Sequence, residues 1–135
     1  MMRKNQATLN GQLSRIISEI GHTDQIVITD AGLPIPSAVE RVDLAVRPGL
    51  PAFLELLDVL LDEIVIEGAT MSSEIREHSP RMLQQIEERL RPYGVEPTFV
   101  AHAEFKDQTR SARAAVRSGE FTPYANVILH AGVAY

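Results

Sequence analysis

The four histidines and the carboxylates are the side chains of this sequence suited to proton transfer near neutral pH, because it contains no cysteine. An unperturbed imidazole has a pKa of about 6.5, so it both gives and takes protons in that range. His22 follows Gly21 at the expected end of a helix, where the helix dipole favours an imidazolium without any further role. It is equally a reasonable general acid or base. His102, in Phe99-Val-Ala-His-Ala-Glu104, either caps the helix that follows or projects into a site. His130, inside the apolar run Val127-Ile-Leu-His-Ala131, reads as a satisfied core or interface histidine. Asp30 ends a β-branched run, where it can bind a ligand hydroxyl, orient an imidazole or simply cap the Ala31 to Pro36 turn.

Other constellations are weaker. Glu74 and His78 have the i, i+4 spacing of a metal pair, but no second pair and no zincin-type motif accompany them, so a solvated charged face is expected. Asp24 and Glu120 form a carboxylate pair only if a fold is assumed that brings them together. The glycines never take the spacings that cradle a phosphate, and no Gly-x-Ser-x-Gly elbow is present. Nucleotide cofactors and serine-nucleophile chemistry therefore have no support, and no cofactor or metal is expected.

These residues need elements to position them. Asn10 is a good N-cap, Leu13, Ile16, Ile17 and Ile20 recur at helical spacing, and Gly21 is expected as a left-handed C-terminal cap. Residues 25–29 form a buried strand, followed by a loop rich in proline and glycine. Further strands are expected at residues 42–46, 63–68, 95–101, 114–117 and 126–131. Pro51 sits near the first turn of a helix carrying Phe53, Leu54, Leu57 and Leu61. Ser79 and Pro80 open a helix that Gly94 stops, and residues 103–109 form a last helical segment. Alternation of strands and helices predicts one α/β layered domain over residues 1–135, with a mostly parallel central sheet flanked by helices. In such sheets ligands collect beyond the carboxyl ends of the strands, which is where Asp30 and His102 fall.

Composition narrows the partners. The 135 residues suffice for one core of their own. A net charge of −5 with scattered Lys and Arg lacks the footprint of a nucleic-acid binder. No apolar run exceeds three residues, so neither a membrane span nor a signal peptide is expected, and a cytoplasmic protein is. Aromatic residues make up 5% with no Trp, so a stacking platform for bases or sugars is not expected and a sugar would be held by polar groups.

The ordered set Gly21-His-Thr-Asp24, Asp30-Ala-Gly-Leu-Pro-Ile-Pro36, Pro48-Gly-Leu-Pro51, Arg117-Ser-Gly-Glu120 and Phe121-Thr-Pro-Tyr-Ala-Asn126 resembles the D-ribose pyranase family, within the ribose pyranase and fucose mutarotase superfamily. The resemblance runs from about Leu9 to the C-terminus. It implies interconversion of β-D-ribopyranose and β-D-ribofuranose in ribose uptake and catabolism, with His22 as the catalytic proton donor. It further implies that Asp30, His102 and Tyr124, Ala125 and Asn126 bind the sugar. A homo-oligomeric ring follows from the same resemblance, a decamer of two stacked pentamers with sugar sites at subunit boundaries. The Gly32-Leu33 and Thr122-Pro123 pairs resemble the ribose branch more than the fucose branch. The competing expectations are a fucose-type mutarotase that exchanges anomers only, or a ribose-binding accessory protein without turnover.

Overall fold

A computed structural model describes residues 7–135. Its elements are α1 (Gly11–Glu19), β1 (Gln25–Thr29), β2 (Glu40–Asp43), α2 (Phe53–Glu63), β3 (Ile66–Ser72), α3 (Ile75–His78), α4 (Pro80–Leu90) with a 3₁₀ turn (Arg91–Tyr93), β4 (Thr98–Val100), α5 (His102–Thr109), β5 (Ala114–Arg117) and β6 (Val127–Ala131). One sheet takes the order β2-β5-β1-β6-β3-β4. Pairings β2–β5, β5–β1 and β3–β4 are parallel, and only β6 runs against its neighbours β1 and β3. The mostly parallel layered sheet is as expected, with β6 as a single antiparallel insertion.

Strand alternation sorts the core onto two faces. Ile26, Ile28, Val42, Ala69, Met71, Val116, Val127 and Leu129 meet Leu13 and Ile16 of α1, the buried leucines and Phe53 of α2, and Met82, Ile86 and Leu90 of α4. On the other face Val27, Ala115 and Ile128 meet Phe105 of α5 together with Leu33 and Val39 of the loop after β1.

Several expected boundaries move, each for a local reason. Asn10 does cap α1, its Oδ1 accepting the Leu13 N–H at 2.8 Å. Gly21, however, is not left-handed: α1 ends in extended backbone at Ile20, and Thr23 takes the positive φ of +73°. The Gly21 N–H is satisfied by Asp24 Oδ2 and the Thr23 N–H by the Ala131 carbonyl, so the turn is closed by those bonds instead. The second strand lies at Glu40–Asp43 rather than 42–46, because residues 46–50 close on themselves around Gly49 at φ +80°. Helix α2 runs through Glu63, which moves β3 to Ile66–Ser72 in place of 63–68. Pro51 stands directly before the Ala52 cap of this helix, near its first turn as expected. β4 shortens to three residues because Pro97 has no N–H to pair.

Gly94 does end its helical segment left-handed, at φ +71°. Pro80 stands in the first turn of α4 as expected, but the Ser79 hydroxyl leaves the helix and donates to the Pro123 carbonyl at 2.7 Å.

Candidate active site

The carboxyl ends of β1, β3 and β4 and the amino end of the antiparallel β6 meet at one edge of the sheet. Asp30 follows β1, Ser72 ends β3, His102 follows β4, and Tyr124, Ala125 and Asn126 lead into β6. Five of the six expected site residues are therefore brought to one edge by topology alone.

Within this edge Asp30 and Asn126 are locked together. Asn126, 1% exposed, accepts the Asp30 N–H at 2.8 Å through Oδ1 and donates from Nδ2 to Asp30 Oδ2 at 3.3 Å. Asp30 Oδ1 accepts the N–H groups of Gly32 and Leu33 at 3.1 and 2.8 Å. The turn-capping role of Asp30 is thus real and uses one oxygen, while Oδ2 keeps lone pairs for a ligand hydroxyl. A cavity of about 420 Å³ opens beside it, lined by Asp30, Ala31, Gly32, Arg117, Glu120 and Phe121.

His102 occupies the first turn of α5. Its Nδ1 lies 2.7 Å from the Ser72 hydroxyl, and its backbone N–H donates to both carboxylate oxygens of Glu74 at 3.1 Å. Ala101 precedes the helix and cannot cap it, so Glu74 supplies the missing acceptor. That bond, foremost among several, holds the Glu74 carboxyl below its ordinary pKa. Glu74 is consequently a capping group for α5, which corrects its expected place on a solvated face. Glu120 does the same for α2, accepting the Phe53 N–H at 3.0 Å after the equally capless Ala52.

Tyr124 is held at φ +64°, and its ring stands edge-on to His102 with centroids 5.0 Å apart and 5.2 Å from the ring of His78. Ala125 is fully buried in the core, and its N–H donates to the Thr122 carbonyl.

His22 lies elsewhere. It precedes β1, at the opposite end of the sheet from Asp30, roughly 20 Å away for a strand of this length. Its Nε2 sits 3.0 Å from Glu67 Oε2, with both side chains about half exposed. Glu67 is the extra residue of a bulge in β3, where Ile66 opposes Ala131 and Gly68 opposes His130, and the bulge turns its side chain toward the Gly21 to Asp24 turn. Because Glu67 occupies Nε2, Nδ1 is the ring nitrogen left open. Asp24 and Glu120 fall at opposite ends of the sheet and form no carboxylate pair.

His130 is the hydrogen-bonded histidine expected from its strand, half-buried among buried neighbours: Nε2 lies 2.9 Å from Thr70 Oγ1, and partial burial lowers its pKa below the ordinary value. Ser72 and Glu67 were not legible as site residues. Ending the third strand at Gly68 hid Ser72, and an isolated glutamate carries no signal of a bulge.

The chain matches the RbsD / FucU transport protein family over residues 2–134. It is 51% identical to a D-ribose pyranase of Laribacter hongkongensis over 99% of this chain and all of that protein. A D-ribose pyranase of Bacillus cytotoxicus is 46% identical over 98% of this chain and 99% of its own length. Among solved structures, Bacillus subtilis RbsD complexed with D-ribose superposes with a TM-score of 0.93 at 42% identity, covering 98% of this chain and 100% of that one. A fucose mutarotase from Streptococcus pneumoniae in complex with L-fucose shares the fold, with a TM-score of 0.80 at 24% identity over 94% and 95% of the two chains. With the match spanning nearly every residue and the relatives covered end to end, the chain belongs to the RbsD / FucU transport protein family.

Proposed function

We propose that this chain interconverts the six-membered and five-membered rings of D-ribose. The observation that carries the reading is its identity of 46 to 51% to proteins named D-ribose pyranase over essentially their whole length. The fold match to a protein complexed with D-ribose supports the same sugar.

Ring exchange of a hemiacetal needs only proton transfers. To open β-D-ribopyranose, the bond from C1 to the ring oxygen breaks, that oxygen gains a proton, and the anomeric hydroxyl loses one to become the aldehyde. Attack of the C4 hydroxyl on C1 then closes the furanose, with the hydroxyl proton leaving and the carbonyl oxygen gaining one. A positioned general acid or base contributes about 10²- to 10⁴-fold to such a step. His22 is our proton donor, acting through its open Nδ1. Asp30, His102, Tyr124, Ala125 and Asn126 hold the sugar, and the Asp30 carboxylate accepts hydroxyl protons.

His22 and this sugar-binding edge meet only if two copies of the chain build each site. The distance of roughly 20 Å between them within one protomer is what supports a shared site. We accordingly read the protein as a homo-oligomeric ring, a decamer of two stacked pentamers, working in the cytoplasm on free ribose.

Saturation-transfer NMR on ribose in buffer containing a chelator tests the function. Accelerated exchange between pyranose and furanose signals is expected. Anomer exchange without ring-size exchange would instead mark a mutarotase, and binding without exchange an accessory protein. Activity lost to the chelator and restored by a divalent ion would overturn a mechanism carried by side chains alone.

A further inference from the structure

Ser72 ends β3 with a side chain that is fully buried, and its Oγ lies 2.7 Å from His102 Nδ1. Among the described residues that hydroxyl has no other hydrogen-bond partner. The count of protons then decides the direction of the bond. A hydroxyl has one proton to donate, and an imidazole nitrogen accepts it only when unprotonated. Were Nδ1 protonated, it would donate to Oγ and leave the serine proton buried without an acceptor, which is unfavourable. The favoured arrangement has Ser72 O–H donating to Nδ1 and the imidazole proton on Nε2. That nitrogen has no partner among the described residues, while the ring is fixed by the Glu74 bond to its backbone, by edge contact with Tyr124 and by stacking at 6.2 Å on Phe105.

We propose that Ser72 is a positioning residue that holds His102 as its Nε2–H tautomer, so that His102 meets ribose as a hydrogen-bond donor to a sugar oxygen and not as a base. This rests on the reading of His102 as a sugar-binding residue. A donor there complements the Asp30 carboxylate, which only accepts, so that one group recognises oxygen lone pairs and the other hydroxyl protons. Such a pair of unlike groups selects hydroxyl geometry in a way that two acceptors would not.

The test begins with the assembled full-length protein labelled with ¹⁵N-histidine at pH 8, where an ordinary imidazole is neutral. The His102 signals are assigned by their loss in His102→Gln. A pyridine-type Nδ1 and a pyrrole-type Nε2 are expected, and a pyrrole-type Nδ1 would overturn the proposal whatever the protein does to ribose. In Ser72→Ala the tautomer preference should relax, and the KM for ribose should rise roughly 5- to 10-fold, the worth of one hydrogen bond. The saturated exchange rate should change by about 2-fold or less, since a binding contact and not the proton donor has been loosened. Ser72→Thr keeps the hydroxyl and should keep the tautomer. An unchanged tautomer and KM in Ser72→Ala would refute the positioning role. The tautomer readout needs no sugar, so failure of the parent protein to exchange ribose would count against the ribose reading separately.

Discussion

Asp30 and Asn126 hold each other across neighbouring strands, backbone N–H to side-chain oxygen at 2.8 Å one way and side-chain nitrogen to carboxylate at 3.3 Å the other. The pair sets the carboxylate at the sheet edge before any ligand arrives. Asn126→Ala should therefore act twice. Loss of the acceptor for the Asp30 N–H should lower stability by about 1–3 kcal/mol, read as a shift in the denaturant midpoint. Ribose affinity by calorimetry should fall as Asp30 loses its orientation. Unchanged affinity in a destabilised variant would make Asn126 structural only.

His130 predicts a pH dependence of stability. Burial first, against a smaller opposing effect of Glu67, holds its pKa below 6.5 in the folded protein. The folded state therefore binds fewer protons here than the unfolded chain. This stability is fully present above about pH 6.5 and is lost as pH falls through the lower folded value. Depressed carboxylates such as Glu74 act only further into acid. Melting curves from pH 7.5 to 5.5 should decline in the parent protein and decline less in His130→Gln. Parallel curves for the two would show that His130 does not titrate differently on folding.

Much of this edge was legible from sequence. Asp30 and His102 stand just past β-branched runs, and the rule that ligands gather at strand carboxyl ends predicts that both lie at one edge of the sheet without any contact being known. Asn126 was found by motif resemblance and not by periodicity, because a buried amide at the head of an apolar strand has no signature of its own. Glu67 and Ser72 stayed hidden for related reasons. A bulge is a property of pairing between β3 and β6, and pairing is not written in either strand alone. The left-handed position assigned to Gly21 falls instead on Thr23, where tertiary bonds from the Thr23 N–H to the Ala131 carbonyl and from the Ala131 N–H to the Asp24 carbonyl override local preference.

That substitution of roles leaves a strained residue next to His22. A β-branched side chain at φ +73° is costly, on the order of 1–3 kcal/mol, whereas asparagine tolerates the left-handed region. Thr23→Asn should raise stability by about 1 kcal/mol in chemical denaturation, and a loss of stability would show that the Thr23 side chain has a compensating role. If the strain helps to aim His22, the same variant should also slow ribose exchange.

The separation of His22 from Asp30 and His102 makes a prediction that only a shared site satisfies. His22→Ala should reduce ring exchange by roughly 10²-fold or more while ribose still binds. A merely dipole-linked histidine would instead cost about 0.3–1 kcal/mol of stability with turnover intact. His102→Ala should weaken ribose binding and leave little exchange at low ribose. Each variant alone is then nearly inactive, but the two defects lie at opposite ends of the sheet. When the two are unfolded together and reassembled in equal amounts, some subunit boundaries join an intact His22 edge from one variant to an intact His102 edge from the other. Random assembly makes such boundaries roughly a quarter of the total, so exchange should return to about that fraction of the parent protein. If both residues acted within one protomer, no mixture could restore activity. Recovery on mixing, against none in either variant reassembled alone, would locate the site between copies of the chain.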